Sequence, residues 1–231
     1  MPIGFRVFTK RELPPKELID AFKHIPVANI ADCMGRLSAM SSQIRRMSAP
    51  SAENMTGAAL TVKARPGDNL MIHKALNMVE PGDIVVVSNG GDRSQSLIGE
   101  IMLTYGKFMG LAGMVLDGPM RDVENIYGMG VPMYATGSTP GGPYKEGPGE
   151  VNVPIACGGI HVYPGDIVVG DSDGVIVIPK NDAERLLEEA KKFNTNDRMK
   201  LKAAADGSAD RSWVEKSLLA KGCEIIEDAY K

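Results

Sequence analysis

The chain has 231 residues, 43% of them hydrophobic and 24% charged, the balance of a globular domain able to bury a substantial core. A net charge of −3 and a pI near 5.7 argue against a bulk nucleic-acid binder, and no basic run with interleaved aromatics supplies that electrostatic footprint. No apolar stretch approaches the roughly 20 residues needed to span a bilayer.

The N-terminal charges Arg6, Lys10, Arg11 and Glu12 flank no long apolar core, so no signal peptide is expected. Cys33, Cys157 and Cys223 are too scattered for a disulfide framework or a C-x-x-C metal site. Reduced thiols in a cytoplasmic protein are expected, with neither a membrane nor a nucleic-acid partner. One domain is expected over residues 1–231, with a helical tail from about residue 182.

In chain order, Leu18 to Phe22 reads as a short helix that breaks near Pro26. Ala28 to Leu37 reads as a second helix with Asn29 as its cap, and Cys33 on it as core packing. Gly57 to Val62 alternates as a strand, and Asp68 to Val79 reads as a helix ending near Pro81-Gly82. His73 has no partner at metal-ligand spacing, which favours a helix-surface or interface role. His24 and His161 have no catalytic partner either, so a Ser-His-Asp arrangement has little support.

The phrase Pro-Gly-Asp-Ile-Val-Val occurs at 81–86 and again at 164–169, each copy joining a tight turn to an apolar run. It is a recurring turn-strand device and not a solenoid, since no fixed period fills the chain between the copies. After the strand Ile84–Val87, Asn89-Gly90-Gly91-Asp92 leads through a Gly-rich turn into Gly99-Glu100 and the apolar Ile101, Met102 and Leu103. Glycines there permit close backbone approach, and free amides near a helix start attract anions.

Gly113 to Leu116 is a short apolar run broken by Asp117-Gly118-Pro119 and followed by Arg121, Asp122 and the helix-compatible Val123-Glu124-Asn125-Ile126. That order puts an Arg-Asp pair at a strand's carboxyl end, where open α/β sheets bind ligands. A surface salt bridge at a helix start is the plain alternative for the pair. Asp117 reads as a turn aspartate, with support of the neighbouring site residues as the alternative.

Between Ala135 and Pro154 lies a Gly/Pro-rich connection, a kind of loop that is often functional or interfacial. Asp171 and Asp173 flank Ser172 before Gly174 without the rest of a calcium loop, and read as turn chemistry. Val175 to Ile178 adds a buried strand, Asn181 or Asp182 caps a helix to about Lys202, and a terminal helix carrying Trp213 begins near Arg211. The whole reads as an α/β protein: a mixed β sandwich with peripheral helices.

Gly90-Gly91-Asp92, Gly99-Glu100 and Asp117-Gly118-x-x-Arg121-Asp122 resemble the 4-hydroxy-4-methyl-2-oxoglutarate/4-carboxy-4-hydroxy-2-oxoadipate aldolases, a family that also contains regulators of ribonuclease E activity. The likeness extends through Ile30–Leu37, Asp68–Ala75, Gly147–Pro154 and Asp171–Gly174, and covers roughly residues 25–200. It implies a β/β/α swivelling fold, assembly as homotrimers or hexamers, and sites at subunit interfaces.

It further implies a class II aldolase that cleaves 4-hydroxy-2-oxo acids to pyruvate through a metal-stabilised enolate, with oxaloacetate decarboxylase activity. By this resemblance Asp122 matches the metal-binding aspartate and Arg121 the substrate-binding, catalytic arginine. Gly99, Glu100, Ile101 and Met102 match the substrate loop, with Glu100 also holding metal-bound water. Ungapped counting from Arg121 puts Asp197 where the adjacent subunit contributes a glutamate; a solvated helix acid is the alternative for this shorter side chain.

The chemistry agrees with a metal route. Cleaving a carbon–carbon bond beside a ketone needs a Schiff-base lysine or a Lewis acid, and nothing near Lys107 suggests an activated amine. Hard oxygen ligands point to Mg²⁺ or Mn²⁺. A non-catalytic regulator binding an RNA-processing ribonuclease is the competing reading, and so is a plain oxo-acid or sugar binder. A methyltransferase lacks its Gly-rich nucleotide turn.

Overall fold

The computed structural model describes residues 3–229. The chain divides into two compact units, residues 1–191 and 192–231. The first begins with β1 (Phe5–Val7), α1 (Lys16–Asp20), α2 (Val27–Cys33) and β2 (Arg45–Arg46). A parallel α/β run follows: β3 (Met55–Ala64), α3 (Leu70–Leu76), β4 (Asp83–Ser88), α4 (Glu100–Phe108), β5 (Gly113–Leu116), α5 (Val123–Tyr127) and β6 (Met133–Ala135). Then come β7 (Gly149–Val151), β8 (Ile155–Cys157), β9 (Ile160–Val162), β10 (Ile167–Gly170), β11 (Val175–Ile178) and the long α6 (Ala183–Asp206), which runs into the second unit. The last helix is α7 (Ser212–Ala220).

The main sheet runs β1-β7-β3-β4-β5-β6-β2, and β3, β4, β5 and β6 are parallel neighbours. β3 is long enough to take two partners on its other edge. Its first half pairs antiparallel with β10 and its last residues pair antiparallel with β7. The two copies of Pro-Gly-Asp-Ile-Val-Val thus flank one strand, and both Asp83 and Ile167 register with Ala58.

Each copy closes its turn in the same way. Gly82 and Gly165 stand at φ +101° and +87°, and the carboxylates of Asp83 and Asp166 accept the amides of Glu80 and Tyr163, both at 2.8 Å. Burial pushes both aspartates above the usual carboxylate range, against the Arg11 ion pair at Asp83 and the amides of Tyr163 and Lys180 at Asp166.

β3 is buried on both faces, so its apolar run is near-continuous instead of alternating. Leu60 and Val62 join the core under α3 and α4 with Ile72, Leu76 and Leu103. Ala59 faces the other side with Ile84, Val86 and Tyr134, under the β8–β9 hairpin that carries Ile155 and Cys157. A third cluster packs β10 and β11 against Ile30 of α2 and Leu186, Leu187 and Ala190 of α6. A helical layer, a mixed sheet and a second β layer are the expected α/β architecture of β/β/α type. Burying each such Leu, Ile or Val stabilises the fold by about 1.5–3 kcal/mol.

Several local expectations shift. α2 begins after Pro26 and not at a cap by Asn29, which lies inside the helix and is buried. Proline fixes the extended entry, and the α2 amide of Val27 is met by the Asp171 carboxylate at 3.0 Å. The helix stops at Cys33 because Gly35 and Arg36 turn left-handed, at φ +66° and +64°. Asp171 also accepts the Asp173 amide at 2.9 Å, the expected turn chemistry. Asp182 precedes α6 and its carbonyl accepts the Leu186 amide.

In the second unit α7 buries none of its residues, and Trp213 is exposed. Among the described residues no helix is long and apolar enough to cross a membrane.

Candidate functional site

The carboxyl ends of β4 and β5 carry the two segments singled out in the sequence. β5 ends at Leu116, the chain turns through Asp117-Gly118-Pro119, and Arg121 and Asp122 precede α5. Asp122 is held in the left-handed region at φ +58°, a conformation uncommon for a non-glycine residue and frequent at functional sites. After β4, buried Asn89 accepts the Gly67 amide through Oδ1 and donates through Nδ2 to the Asp92 carbonyl, both at 2.9 Å. That clamp fixes the Gly90-Gly91 turn, whose φ values are +63° and +72°.

Gly99 then caps α4, and Asp122 Oδ2 accepts the Glu100 backbone amide at 2.9 Å. Arg121 Nε lies 3.7 Å from the same oxygen. A Cβ on Gly99 would collide with Asp122 Oδ2 and stand 3.1 Å from Arg121 Nε, so only glycine admits the pair. The amides of Ile101 and Met102 fall in the first turn of α4, where no carbonyl a turn earlier is available to them. The Glu100 side chain accepts from Asn125 Nδ2 of α5 at 2.8 Å.

Gly99, Ile101, Met102, Arg121 and Asp122 line one cavity of about 260 Å³; Glu100 does not, its amide being turned to Asp122 and its carboxylate to Asn125. Arg121 and Asp122 also line a neighbouring cavity of about 360 Å³ with Ser138 and Thr139. Asp197 sits exposed on α6 in the second unit. Lys107 donates to the Met129 carbonyl at 2.6 Å and does not line the cavity. Asp117 is half-buried, and burial raises its pKa against the opposing pull of the Gly91 amide and Arg93.

The cavity contains three polar residues that the sequence reading set aside or did not single out: Asn69, His73 and Lys145. Asn69 is the residue that precedes α3 and His73 lies four residues on, within the helix, a spacing the sequence does display. Lys145 comes from the Gly/Pro-rich connection. That connection is stitched down by Asp68, whose Oδ2 accepts the amides of Glu146 at 2.7 Å and Gly147 at 2.9 Å. Burial, followed by the Lys145 charge, lowers the His73 pKa, so its imidazole is neutral near pH 7.

Among the described residues no group of three or more His, Cys, Asp or Glu side chains forms a metal cage. Asp122 is the acid among the residues lining the cavity, and carboxylate oxygens of this kind are hard donors.

An α/β sheet with a crevice at the ends of its parallel strands, lined by an arginine, an aspartate and the start of a helix, puts the chain in the class of α/β proteins whose ligand crevice lies at the strands' carboxyl ends. Within that class the chain belongs to the RraA-like family, described as Aldolase/RraA, whose model matches residues 27–177. A protein of Halalkalibacterium halodurans with the provisional name 4-hydroxy-4-methyl-2-oxoglutarate aldolase is 36% identical over 203 residues, 87% of this chain and 96% of that one.

Among solved structures, Streptomyces coelicolor RraAS2, described as an unusual member of the RNase ES inhibitor RraA family, superposes with a TM-score of 0.72 at 28% identity, covering 82% of this chain and 98% of that one. The RNA-processing inhibitor RraA of Thermus thermophilis superposes with a TM-score of 0.61 at 27% identity, over 67% of this chain and 92% of that one.

Proposed function

We propose that this protein is a divalent-metal-dependent pyruvate aldolase, a carbon–carbon lyase acting on 4-hydroxy-2-oxo acids, with oxaloacetate decarboxylation as a side activity. The observation that carries this reading is the shared cavity in which Arg121 and Asp122 meet the glycine-capped start of α4. The aldolase name of the H. halodurans relative supports it.

In this reading the substrate carboxylate lies against the first-turn amides of α4, and the planar fork of Arg121 meets the keto oxygen. Asp122 would hold Mg²⁺ or Mn²⁺, with Glu100 reaching the ion only through bound water, and the ion would supply Lewis-acid polarisation. Glu100 takes the C4 hydroxyl proton by way of water. The electrons of the breaking C3–C4 bond move toward the keto oxygen, where Arg121 meets the developing charge, and a proton delivered to C3 gives pyruvate. Oxaloacetate loses carbon dioxide by the same electron flow.

The protein acts in this reading as a homotrimer or a dimer of trimers, with Asp197 reaching the site of an adjacent subunit. Ile101, Tyr105 and Phe108 support this: they lie at i, i+4 and i+7 on α4, and Ile101 and Phe108 are 84% and 83% exposed. That stripe starts at the cavity wall. Free Cys33, Cys157 and Cys223 fit a reducing cytoplasm.

The inhibitor names of the two solved neighbours favour a second reading, a protein-binding regulator of an RNA-processing ribonuclease. A pyruvate-release assay on a panel of 4-hydroxy-2-oxo acids and oxaloacetate, with and without Mg²⁺, separates the two. Metal-dependent release is expected. No release from any substrate, with ribonuclease inhibition instead, overturns the aldolase.

A further inference from the structure

Asn69 is 2% exposed in the wall of the cavity. Its side chain donates two hydrogen bonds, both from Nδ2: to the Leu97 carbonyl at 3.1 Å and to Met102 Sδ at 3.2 Å. Those two residues bracket Ile98–Ile101, the segment with the Gly99 turn and the first α4 amides. The Leu97 carbonyl fixes which end of the amide is nitrogen, because the reverse orientation would set two oxygens against each other. Oδ1 is then buried without a hydrogen-bond partner. A buried carbonyl left unmet is a standing cost that a leucine of similar shape would remove.

The backbone of Asn69 is tied as well. Its amide donates to the Tyr144 carbonyl at 2.9 Å, and its carbonyl accepts the His73 amide at 3.0 Å. One residue thus joins the α3 face that carries His73, the connection that carries Lys145 and the segment facing both. The Arg121 amide donates to the Ile98 carbonyl at 3.0 Å, so a shift of residues 98–101 carries Arg121 with it.

We propose that Asn69 is a positioning residue: by holding residues 97 and 102 together it sets the amide cradle that receives the carboxylate of a 2-oxo acid. The ligand part of this inference rests on reading the cavity as an oxo-acid site. The positioning role rests on the hydrogen bonds to Leu97 and Met102 alone.

Asn69→Leu keeps the size of the side chain and removes both the bracket and the unmet oxygen, so thermal stability and binding should part company. The expected result in the full-length protein is an unchanged or higher melting temperature. Backbone amide exchange at Leu97, Leu103 and Arg121, whose hydrogen bonds tie the 97–102 segment down, should be about tenfold faster, and the KM for oxaloacetate with Mg²⁺ about tenfold higher, with kcat within about threefold. Asn69→Asp, which turns an oxygen toward Leu97 and Met102, should open the same segment. Asn69→Ser is measured in the same way should the leucine variant fail to fold. Unchanged exchange at Leu97, Leu103 and Arg121, or an unchanged KM in an active enzyme, overturns the proposal. If the wild-type protein releases no pyruvate, the functional reading has failed, and exchange still decides the role of Asn69.

Discussion

The carboxylate of Asp122 and the backbone amide of Glu100 are joined at 2.9 Å, so the loop after β5 and the start of α4 share one hydrogen bond across the cavity mouth. Asp122 is the hinge of that arrangement. It sits in a left-handed conformation, spends one oxygen on the Glu100 amide and keeps Arg121 Nε 3.7 Å from the same oxygen.

Gly99 makes this junction possible, and Gly99→Ala tests it. The added Cβ has to displace the Asp122 carboxylate, and the backbone of Gly99, extended at φ −141°, accepts alanine without strain. The fold should therefore survive. A displacement of reacting groups by about 1 Å costs about 10² in rate, and this is the expected loss in oxaloacetate decarboxylation. Wild-type activity in the alanine variant would mean that the junction has no part in turnover.

The two members of the Arg-Asp pair should fail differently. Losing a donor to a developing oxyanion costs about 10²–10³ in rate, and lysine cannot reproduce the planar fork, so Arg121→Lys should be nearly as damaging as Arg121→Ala. Asp122→Ala should lose metal first, and excess Mg²⁺ should partly restore it. Exhaustive EDTA treatment should abolish wild-type turnover. Decarboxylation measured against Mg²⁺ for both variants checks this. An Arg121→Lys enzyme with wild-type turnover, or full activity after EDTA, would sink the mechanism.

The sequence already displays much of this arrangement. Gly113–Leu116 is a strand with the expected bounds, since a four-residue apolar run ended by Asp-Gly-Pro has few other readings. The repeated Pro-Gly-Asp turns are visible as turns, but their convergence on Ala58 of β3 is a long-range fact with no local signal.

β1 and β7 escape a sequence reading because Phe5–Val7 and Gly149–Val151 are three residues each and acquire strand character only by pairing with each other and with β3. The cavity is half legible. Arg121, Asp122 and Gly99 announce themselves by glycine-bounded motifs. Lys145 lies in a segment whose position depends on the buried Asp68 carboxylate, and nothing in its own neighbourhood marks it.

Assembly can be tested through the exposed stripe of α4. Phe108 is 83% exposed although apolar, and Phe108→Glu should break a trimeric contact without touching the core. Sedimentation should show a trimer or hexamer for the wild type and smaller species for the variant, with activity lost together with assembly. Co-expressed Arg121→Lys and Asp197→Ala chains should recover part of the activity, because mixed trimers contain sites built from two intact halves. A fully active wild-type monomer at micromolar concentration would remove both the interface and Asp197 from the site.

His73 provides a probe of the opposite wall. Burial is the larger cause of its lowered pKa and the Lys145 ammonium the second, so the imidazole should titrate below the ordinary value of about 6.5. A pKa lowered in the folded state means that the fold binds the proton less well than the unfolded chain. The contribution of His73 to stability is thus fully present above the unfolded value and is lost as pH falls through the folded one. Lys145→Met removes only the second cause, and should move the His73 titration upward but leave it below the ordinary value. Through the neutral range Arg121 and Lys145 would then carry the positive charge of the cavity, with His73 neutral between pH 7 and 8. An NMR titration of the imidazole protons in both proteins measures this directly. A His73 that titrates at the ordinary value, or that ignores Lys145→Met, would show that the connection holding Lys145 does not close over α3 in solution.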